Sequence, residues 1–254
     1  MREDKNKTVL AVGAHPDDVE IMCAGTLALL KEKGWKIEIA TMTPGDLGSA
    51  SLSRDKISMI RKNEAVISAK ILDGNYHCMG NDDIFIMYDR STLLKAINLI
   101  RKVKPNLVIT QSPQDYMVDH EVTSKVIKTA CFSAGISNIK TEAKPVLKIP
   151  HLFYMDSLEG TDVFGESIKS TTIVDISSTI EIKEKMLAAH NSQRSWLMSH
   201  NGIDEYIIAM KNFSSKHGKE IGVKYGEGFR QHLGHAYPQS NILKEELLEK
   251  VRVF

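Results

Sequence analysis

Short apolar segments alternate with amphipathic ones through the first 135 residues, and this alternation constrains the fold more than any other feature. Strand-like segments are predicted over Thr8–Gly13, Lys36–Met42, Asn75–Cys78 and Asn106–Gln111. The segments with helical spacing predict helices over Glu20–Lys33, Arg54–Lys70, Arg90–Val103 and Glu121–Ser133. Strands separated by helices of this length pair in parallel through right-handed crossovers. The pattern therefore predicts an α/β fold, a three-layer αβα arrangement around a mostly parallel sheet.

The second half continues the pattern with less regularity. Strands are predicted over His151–Met155 and Thr171–Ile176, and helices over Thr179–Ser195, Asp204–His217 and the tail Asn241–Val251. The chain of 254 residues shows no internal repeat, no low-complexity tract and no linker composition. We therefore expect a single domain over residues 1–254.

Charge and cysteine usage exclude several classes of protein. The 33 basic and 32 acidic residues give a net charge of +1, so no global field favours nucleic acid or an anionic membrane. Three cysteines without a CxxC pair fit reduced thiols better than a disulfide framework. The charged start MREDKNK and the absence of any apolar segment of transmembrane length predict a cytoplasmic enzyme or binding protein.

Three polar loops follow predicted strands. They are GAHPDD at residues 13–18, TPGDLGSAS at residues 43–51 and SPQDYMVDH at residues 112–120. Ligands of open parallel sheets bind beyond the carboxyl ends of the strands. The active site is therefore expected at this edge of the sheet.

The adjacent carboxylates of Asp17 and Asp18 repel each other, which suggests a cation among them. His15, Asp18 and His120 together offer two imidazoles and a carboxylate, the ligand set of a catalytic zinc site with one position left for water. Asp17 would then take a proton from that water during metal-assisted hydrolysis. Alternatively, HPDD is only a helix N-cap. Dinucleotide binding is disfavoured, because this turn has one glycine where GxGxxG requires three.

Several motifs resemble the PIG-L/LmbE-like family of zinc-dependent N-deacetylases. They are GAHPDDVEIMCAGTLA, TPGDLGS, RKNEA at residues 61–65 with AKIL at 69–72, DYMVDH, and VKYGEGFR near the end. The resemblance implies a Rossmann-like domain that removes an acetyl group from an N-acetylglucosamine-type conjugate. It also implies one Zn²⁺ per chain, replaceable by other divalent metals, with ligands His15, Asp18 and His120 and with Asp17 as the general base. Homo-oligomers are common among such relatives.

One position departs from the family pattern. The second family motif is usually HPDH, whose first histidine is thought to stabilise the oxyanion or protonate the leaving amine, but this position is Met117 here. A thioether can do neither. Either His190, His232 or His235 supplies the imidazole, or the chain is a divergent member. Such a member would act on another amide or an ester, or would be a non-catalytic, metal-stabilised binding protein.

The resemblance also implies roles for residues around the metal. Asp119, which normally orients the missing histidine, is a catalytic candidate that could instead hold the second nitrogen of a metal-bound histidine. Arg61 matches a position that reaches substrate hydroxyls, and its alternative is a helical pair with Glu64. The remaining candidates for substrate binding are Gly45, Asp46, Tyr225 and Glu227. The alternatives are a simple turn for the first two and a structural role for the last two.

Overall fold

An eight-stranded sheet runs through the structure, a computed structural model that describes residues 7–194 and 205–254. Its strand order is β3-β2-β1-β4-β5-β7-β6-β8. The strands are β1 (Thr8–Gly13), β2 (Lys36–Thr41), β3 (Asn75–Cys78), β4 (Leu107–Thr110), β5 (His151–Met155), β6 (Thr172–Asp175), β7 (Gly226–Gln231) and β8 (Val251–Val253). The first five in this order pair in parallel, whereas β7, β6 and β8 add an antiparallel edge. The sheet is therefore mostly parallel, as predicted.

Helices cover both faces of this sheet. They are α1 (Asp18–Met22), α2 (Ala24–Glu32), α3 (Arg54–Ile71), α4 (Arg90–Val103), α5 (Val118–Ser133), α6 (Ile180–Ala188), α7 (Glu205–Ile221) and α8 (Ile242–Leu247). None of the helices in the described ranges is long and apolar enough to cross a membrane.

The core lies in two apolar layers, one on each side of the sheet. Along β1, Val9 and Ala11 join the layer that contains α2, whereas Leu10 and Val12 join the layer that contains α4 and α5. A strand whose successive side chains are all buried needs cover on both faces. The three-layer αβα prediction is confirmed. Whether residues 1–254 form one domain stays a prediction.

Several local predictions differ from the structure. The helix predicted over Thr179–Ser195 is interrupted after Ala188, where α6 ends. The helix predicted over Glu20–Lys33 is interrupted at Cys23, where the backbone leaves helical geometry (φ −144°, ψ 7°) and separates α1 from α2. The tail helix ends at Leu247, and the chain then turns into β8. Strand β7 was not predicted, because two of its six residues are glycines and give no apolar alternation. The predicted ends at Ser195 and Asp204 lie outside the described residues.

Candidate metal centre and active-site pocket

The carboxyl ends of β1 and β4 bring the three predicted metal ligands together. β1 pairs in parallel with both β2 and β4, so the loops that follow these strands lie at one edge of the sheet. Ligand atoms of His15, Asp18 and His120 all lie within 4.8 Å of one another, and all three residues are buried. The site therefore forms where the sequence predicts it.

Each histidine has one ring nitrogen beside a buried carboxylate. Nε2 of His15 lies 3.0 Å from Oδ2 of Asp119, and Nδ1 of His120 lies 3.0 Å from Oδ1 of Asp115. The other two nitrogens face Asp18, at 3.7 Å for Nδ1 of His15 and 3.5 Å for Nε2 of His120. Carboxylate partners of this kind fix the orientation of metal-binding imidazoles.

The carboxylate of Asp18 is held through one oxygen. Its Oδ2 accepts hydrogen bonds from the backbone amides of Ala14 (2.8 Å) and His15 (2.9 Å) and from Nε2 of Gln111 (2.6 Å). A Cβ at Gly13 would lie 2.8 Å from the Cβ of Asp18, so glycine is required at the strand exit. This arrangement leaves Oδ1 of Asp18 available to a metal.

Electrostatics also favour a cation here. Burial lowers the pKa of His15, but the hydrogen bonds to Asp119 and Asp18 outweigh it and raise the pKa to about 9. Burial also lowers the pKa of His120, but the carboxylates of Asp18 and Asp115 outweigh this effect and raise the pKa to about 10. The surrounding carboxylates thus stabilise positive charge strongly. A divalent ion would supply that charge in place of the two protons, so the residues present fit a metal.

Asp17, the predicted base, sits between the loop and α1 in a strained conformation. Its φ of +104° is rare for a residue other than glycine, and such strain is typical of functional sites. Its Oδ2 accepts hydrogen bonds from the hydroxyl of Tyr206 and from Nη2 of Arg61, the latter at 3.4 Å. Burial raises the pKa of Asp17, although the nearby Arg61 guanidinium opposes the shift.

A cavity of about 550 Å³ opens over this cluster. Its floor is polar, with His15, Asp17, Asp18 and His120 beside Arg61, Asp83 and Gln111. Its walls are mostly apolar and consist of Ile21, Met22, Leu47, Gly48, Ile84, Tyr116, Met117, Leu158, Tyr206, Ala209 and Met210. The volume suits a small-molecule substrate.

Residues 10–131, which include all three ligands and Asp17, match the PIG-L family, described as GlcNAc-PI de-N-acetylase. The chain therefore resembles the PIG-L/LmbE-like family. Deacetylases are hydrolases of amide bonds, and the chain is an enzyme of that class.

Known relatives resemble this chain over half of its length or more. A diacetylchitobiose deacetylase of Thermococcus kodakarensis is 26% identical over 230 residues, which cover 88% of this chain and 82% of that protein. The inhibitor complex of an N,N'-diacetylchitobiose deacetylase from Pyrococcus horikoshii has a TM-score of 0.77 and 25% identity, covering 93% of this chain and 88% of that one. A 4-oxalmesaconate hydratase of Pseudomonas putida is 26% identical over 148 residues, 55% of this chain and 57% of that protein.

Arg61 borders the cavity, as expected of a substrate-binding residue. Its Nη2 donates to the carbonyl of Pro16 at 2.7 Å. Glu64 instead accepts hydrogen bonds from the amide and hydroxyl of Ser192, both at 2.7 Å, so the predicted alternative of an Arg61–Glu64 pair is wrong.

Gly45 and Asp46 do not line the cavity, contrary to their predicted substrate-binding role. The carboxylate of Asp46 is bound by the Arg54 guanidinium, and its Oδ1 accepts the Asp83 amide at 2.8 Å. Gly45 lies under Arg61, because a Cβ there would meet the guanidinium at 2.5 Å. Both residues shape the loop that supports the pocket.

Tyr225 and Glu227 also lie away from the cavity, which supports their structural alternative. Glu227 accepts the amides of Gly25 (2.9 Å) and Thr26 (2.7 Å) at the start of α2, and Nζ of Lys183 at 2.7 Å. Tyr225 packs against the core layer on the α2 side. The late motif VKYGEGFR therefore has a structural role here, because its Glu227 joins β7 to the start of α2 through hydrogen bonds.

The three histidines predicted to replace the missing imidazole do not line the cavity. His190 is fully buried, with Nε2 3.2 Å from Oε1 of Glu20, a carboxylate that also accepts the Ser68 hydroxyl. His232 and His235 line a separate surface cleft beside Lys128, and Nδ1 of His232 lies 3.0 Å from the hydroxyl of Tyr154. His232 and His235 thus lie away from the cavity, whereas His190 is close enough to Asp17 for the two charges to interact. The replacement of the missing imidazole by one of these histidines stays a prediction.

Sequence reasoning missed four residues at the site. Asp115 and Gln111 contact the ligands, Asp83 borders the cavity, and Tyr206 contacts Asp17. Asp115 and Gln111 had a usable signal, since they lie within or beside the loop that carries His120. Tyr206 had none, because it reaches the site from α7, nearly 190 residues after Asp17.

Proposed function

We propose that the protein is a zinc-dependent deacetylase that removes the acetyl group from an N-acetylglucosamine-type conjugate. The observation that carries this proposal is the convergence of His15, Asp18 and His120 beside Asp17 on the floor of one cavity. The names of the relatives support an N-acetylated amino sugar as the substrate.

The metal would be held by Nδ1 of His15, Nε2 of His120 and Oδ1 of Asp18, the atoms left available by the surrounding hydrogen bonds. A zinc ion bound there supplies two things, a lowered pKa for a bound water and polarisation of the amide carbonyl. Two histidines and one carboxylate favour zinc over magnesium or calcium, which prefer oxygen ligands.

Asp17 acts as the general base in this proposal. Tyr206 and Arg61 both hold its Oδ2, whereas Oδ1 accepts no hydrogen bond from the described residues. Its raised pKa brings the carboxylate closer to the range in which a general base works best near neutral pH. The strained backbone keeps the side chain beside the ligands instead of at an ordinary helix cap.

Polar side chains at the cavity favour a substrate with hydroxyls. The carboxylate of Asp83 and the guanidinium of Arg61 both belong to residues that border the cavity. A sugar offers hydroxyl groups, which donate to carboxylates and accept from guanidinium groups.

Acetate release from N-acetylglucosamine and N,N'-diacetylchitobiose by the zinc-loaded protein tests the proposal. We expect turnover by the wild type and a loss of about 10²–10⁴-fold in kcat for Asp17→Asn, with one zinc still bound. Asparagine tolerates the left-handed backbone of position 17, so this variant removes the base without adding strain. Bound zinc without acetate release from any N-acetylated sugar would contradict the proposal.

The hydratase relative provides a second candidate, the addition of water to a carbon–carbon double bond. The same base and the same activated water would serve that reaction. Loss of ultraviolet absorbance from 4-oxalmesaconate, without acetate release in the first assay, would favour it. Zinc binding without either activity would favour a metal-stabilised binding protein.

A further inference from the structure

The cavity contains no imidazole besides those of the two predicted metal ligands among its described lining residues. Met117 occupies the wall where the family motif has a histidine, and its thioether cannot donate a proton. His232 and His235 lie in another cleft. An amine that leaves an amide needs a proton, which either the protonated Asp17 or another acidic side chain at the cavity delivers.

Tyr206 has the chemistry and the position to do so. Its side chain lines the cavity, and its hydroxyl donates a hydrogen bond to Oδ2 of Asp17. Its neighbours Ile207 and Met210 are buried in an apolar cluster with Leu187 of α6, which fixes the first turns of α7 over the pocket. The phenol thus lies between the predicted base and the space for the substrate.

Tyr116 is the other phenol at this cavity. It precedes Met117, is 62% exposed, and stands edge-on to the ring of His120 with 5.6 Å between the centroids. Tyr206, in contrast, is half-buried on α7 and donates its hydroxyl to Oδ2 of Asp17. A donor linked to Asp17 can recover its proton from that carboxyl group, which favours Tyr206.

We propose that Tyr206 is the catalytic residue that protonates the departing nitrogen, in the place of the histidine that Met117 replaces. This inference rests on the proposed deacetylase function. Asp17 takes a proton from the attacking water, whose oxygen forms a bond to the acyl carbon. The carbon–nitrogen bond then breaks, and its electron pair goes to nitrogen, which takes the phenolic proton of Tyr206.

The carboxylic proton of Asp17 passes to the phenolate oxygen along the hydrogen bond that joins them. Both side chains return to their starting states, and one water is consumed for each acetate and amine formed. The existing contact supports this return path, because a hydrogen bond between a phenol and a carboxylate is charge-assisted and short.

The test compares Tyr206→Phe with the wild type on two substrates, the N-acetylated sugar and 4-nitrophenyl acetate. The nitrophenolate leaves without a proton, so we expect kcat to fall about 100-fold or more on the amide and less than about threefold on the ester. Zinc content should stay at one per chain. Thermal unfolding of Tyr206→Phe shows whether the variant folds as the wild type does. The matched control is Tyr88→Phe, because the hydroxyl of Tyr88 contacts Thr129 outside the cavity.

A second measurement does not depend on turnover. Calorimetry measures the affinity of the methylphosphonamidate analogue of the amide, which imitates the tetrahedral state. We expect Tyr206→Phe to weaken its binding at least tenfold and to leave the binding of glucosamine unchanged.

Three results would overturn the role of Tyr206. Equal losses on amide and ester would mean that the phenol acts only through Asp17. Unchanged turnover and analogue affinity in Tyr206→Phe would mean that the hydroxyl of Tyr206 is not needed. A loss of turnover confined to the amide in Tyr116→Phe would mean that Tyr116 donates the proton. These results presuppose an active wild type, whereas a wild type without acetate release would overturn the proposed function together with this inference.

Discussion

Nε2 of His15 lies 3.0 Å from Oδ2 of Asp119, and both residues are buried. The same oxygen accepts the amide of Ile84 at 2.7 Å, which ties the carboxylate to the loop at the cavity wall. Asp119 belongs to the motif whose first histidine is replaced by Met117. Its contact with His15 therefore gives the aspartate a role that does not depend on the missing residue.

We predict that Asp119→Asn weakens zinc binding by about 10- to 100-fold, the usual cost of losing the partner of a metal-bound histidine. The asparagine oxygen can still accept from Ile84, so the loop is retained. Competition with a chromogenic chelator measures the affinity. Asp73→Asn is the control, since Asp73 is an exposed carboxylate paired with Lys31. Equal affinities for both variants would contradict the assignment.

Zinc binding should release close to two protons at pH 7.5, one from His15 and one from His120, because their pKa values are raised to about 9 and about 10. Because the pKa values of both histidines are higher in the folded protein than in the unfolded chain, their protonation stabilises the metal-free fold. This stabilisation is complete below about pH 6.5, the pKa of histidine in the unfolded chain. This stability is lost as the pH rises through about 9 and 10. Calorimetry in buffers of different ionisation enthalpy counts the protons, and a count near zero at pH 7.5 would contradict the prediction.

The parallel half of the fold was predictable from sequence because its signal is local. β1 and β4 are short apolar runs and β2 alternates apolar with polar residues, and a polar loop follows each. The topology rules then place these loops at one edge of the sheet. Strand β7 was missed because Gly226 and Gly228 carry no side-chain signal. β8 was missed because three residues beyond a helical pattern give no period to read.

At the site, residues within the strand-end loops were predictable and those from distant elements were not. His15, Asp18 and His120 follow strands that the pattern identifies. Tyr206 approaches from α7, and Lys183 meets Glu227 across the core, so only the packed structure shows their contacts. The errors at Asp46 and Glu227 share a cause, because a carboxylate near a motif has the same sequence signal whether it binds substrate or backbone amides.

Glu227→Gln should destabilise the protein by about 3–5 kcal/mol, because it leaves the buried ammonium of Lys183 without a counter-charge. Lys183 is fully buried, and Glu227 is its partner at 2.7 Å. Urea unfolding measures the loss, which Lys183→Met in the same chain should largely reverse. KM for the acetylated sugar should not change in the double variant. An increase in KM with unchanged stability would restore the predicted substrate-binding role of Glu227.

Gly45→Ala should reduce activity by about tenfold or more, since loss of precise positioning at a site can cost this much. A Cβ at Gly45 would lie 2.5 Å from the guanidinium of Arg61, which holds Asp17 and the carbonyl of Pro16. The side chain of Arg61 would have to move, and the base would lose one of its two hydrogen-bond donors.

Gly80→Ala is the matched control for that variant. Gly80 has a φ of +64°, close to the +76° of Gly45, but no atom lies within 4 Å of a Cβ built there. Both variants therefore carry the left-handed backbone cost of about 1–2 kcal/mol, and only Gly45→Ala adds the clash. Unfolding in urea and kcat for acetate release are measured on both. Similar losses of kcat in the two variants would mean that backbone strain, and not the position of Arg61, accounts for the effect.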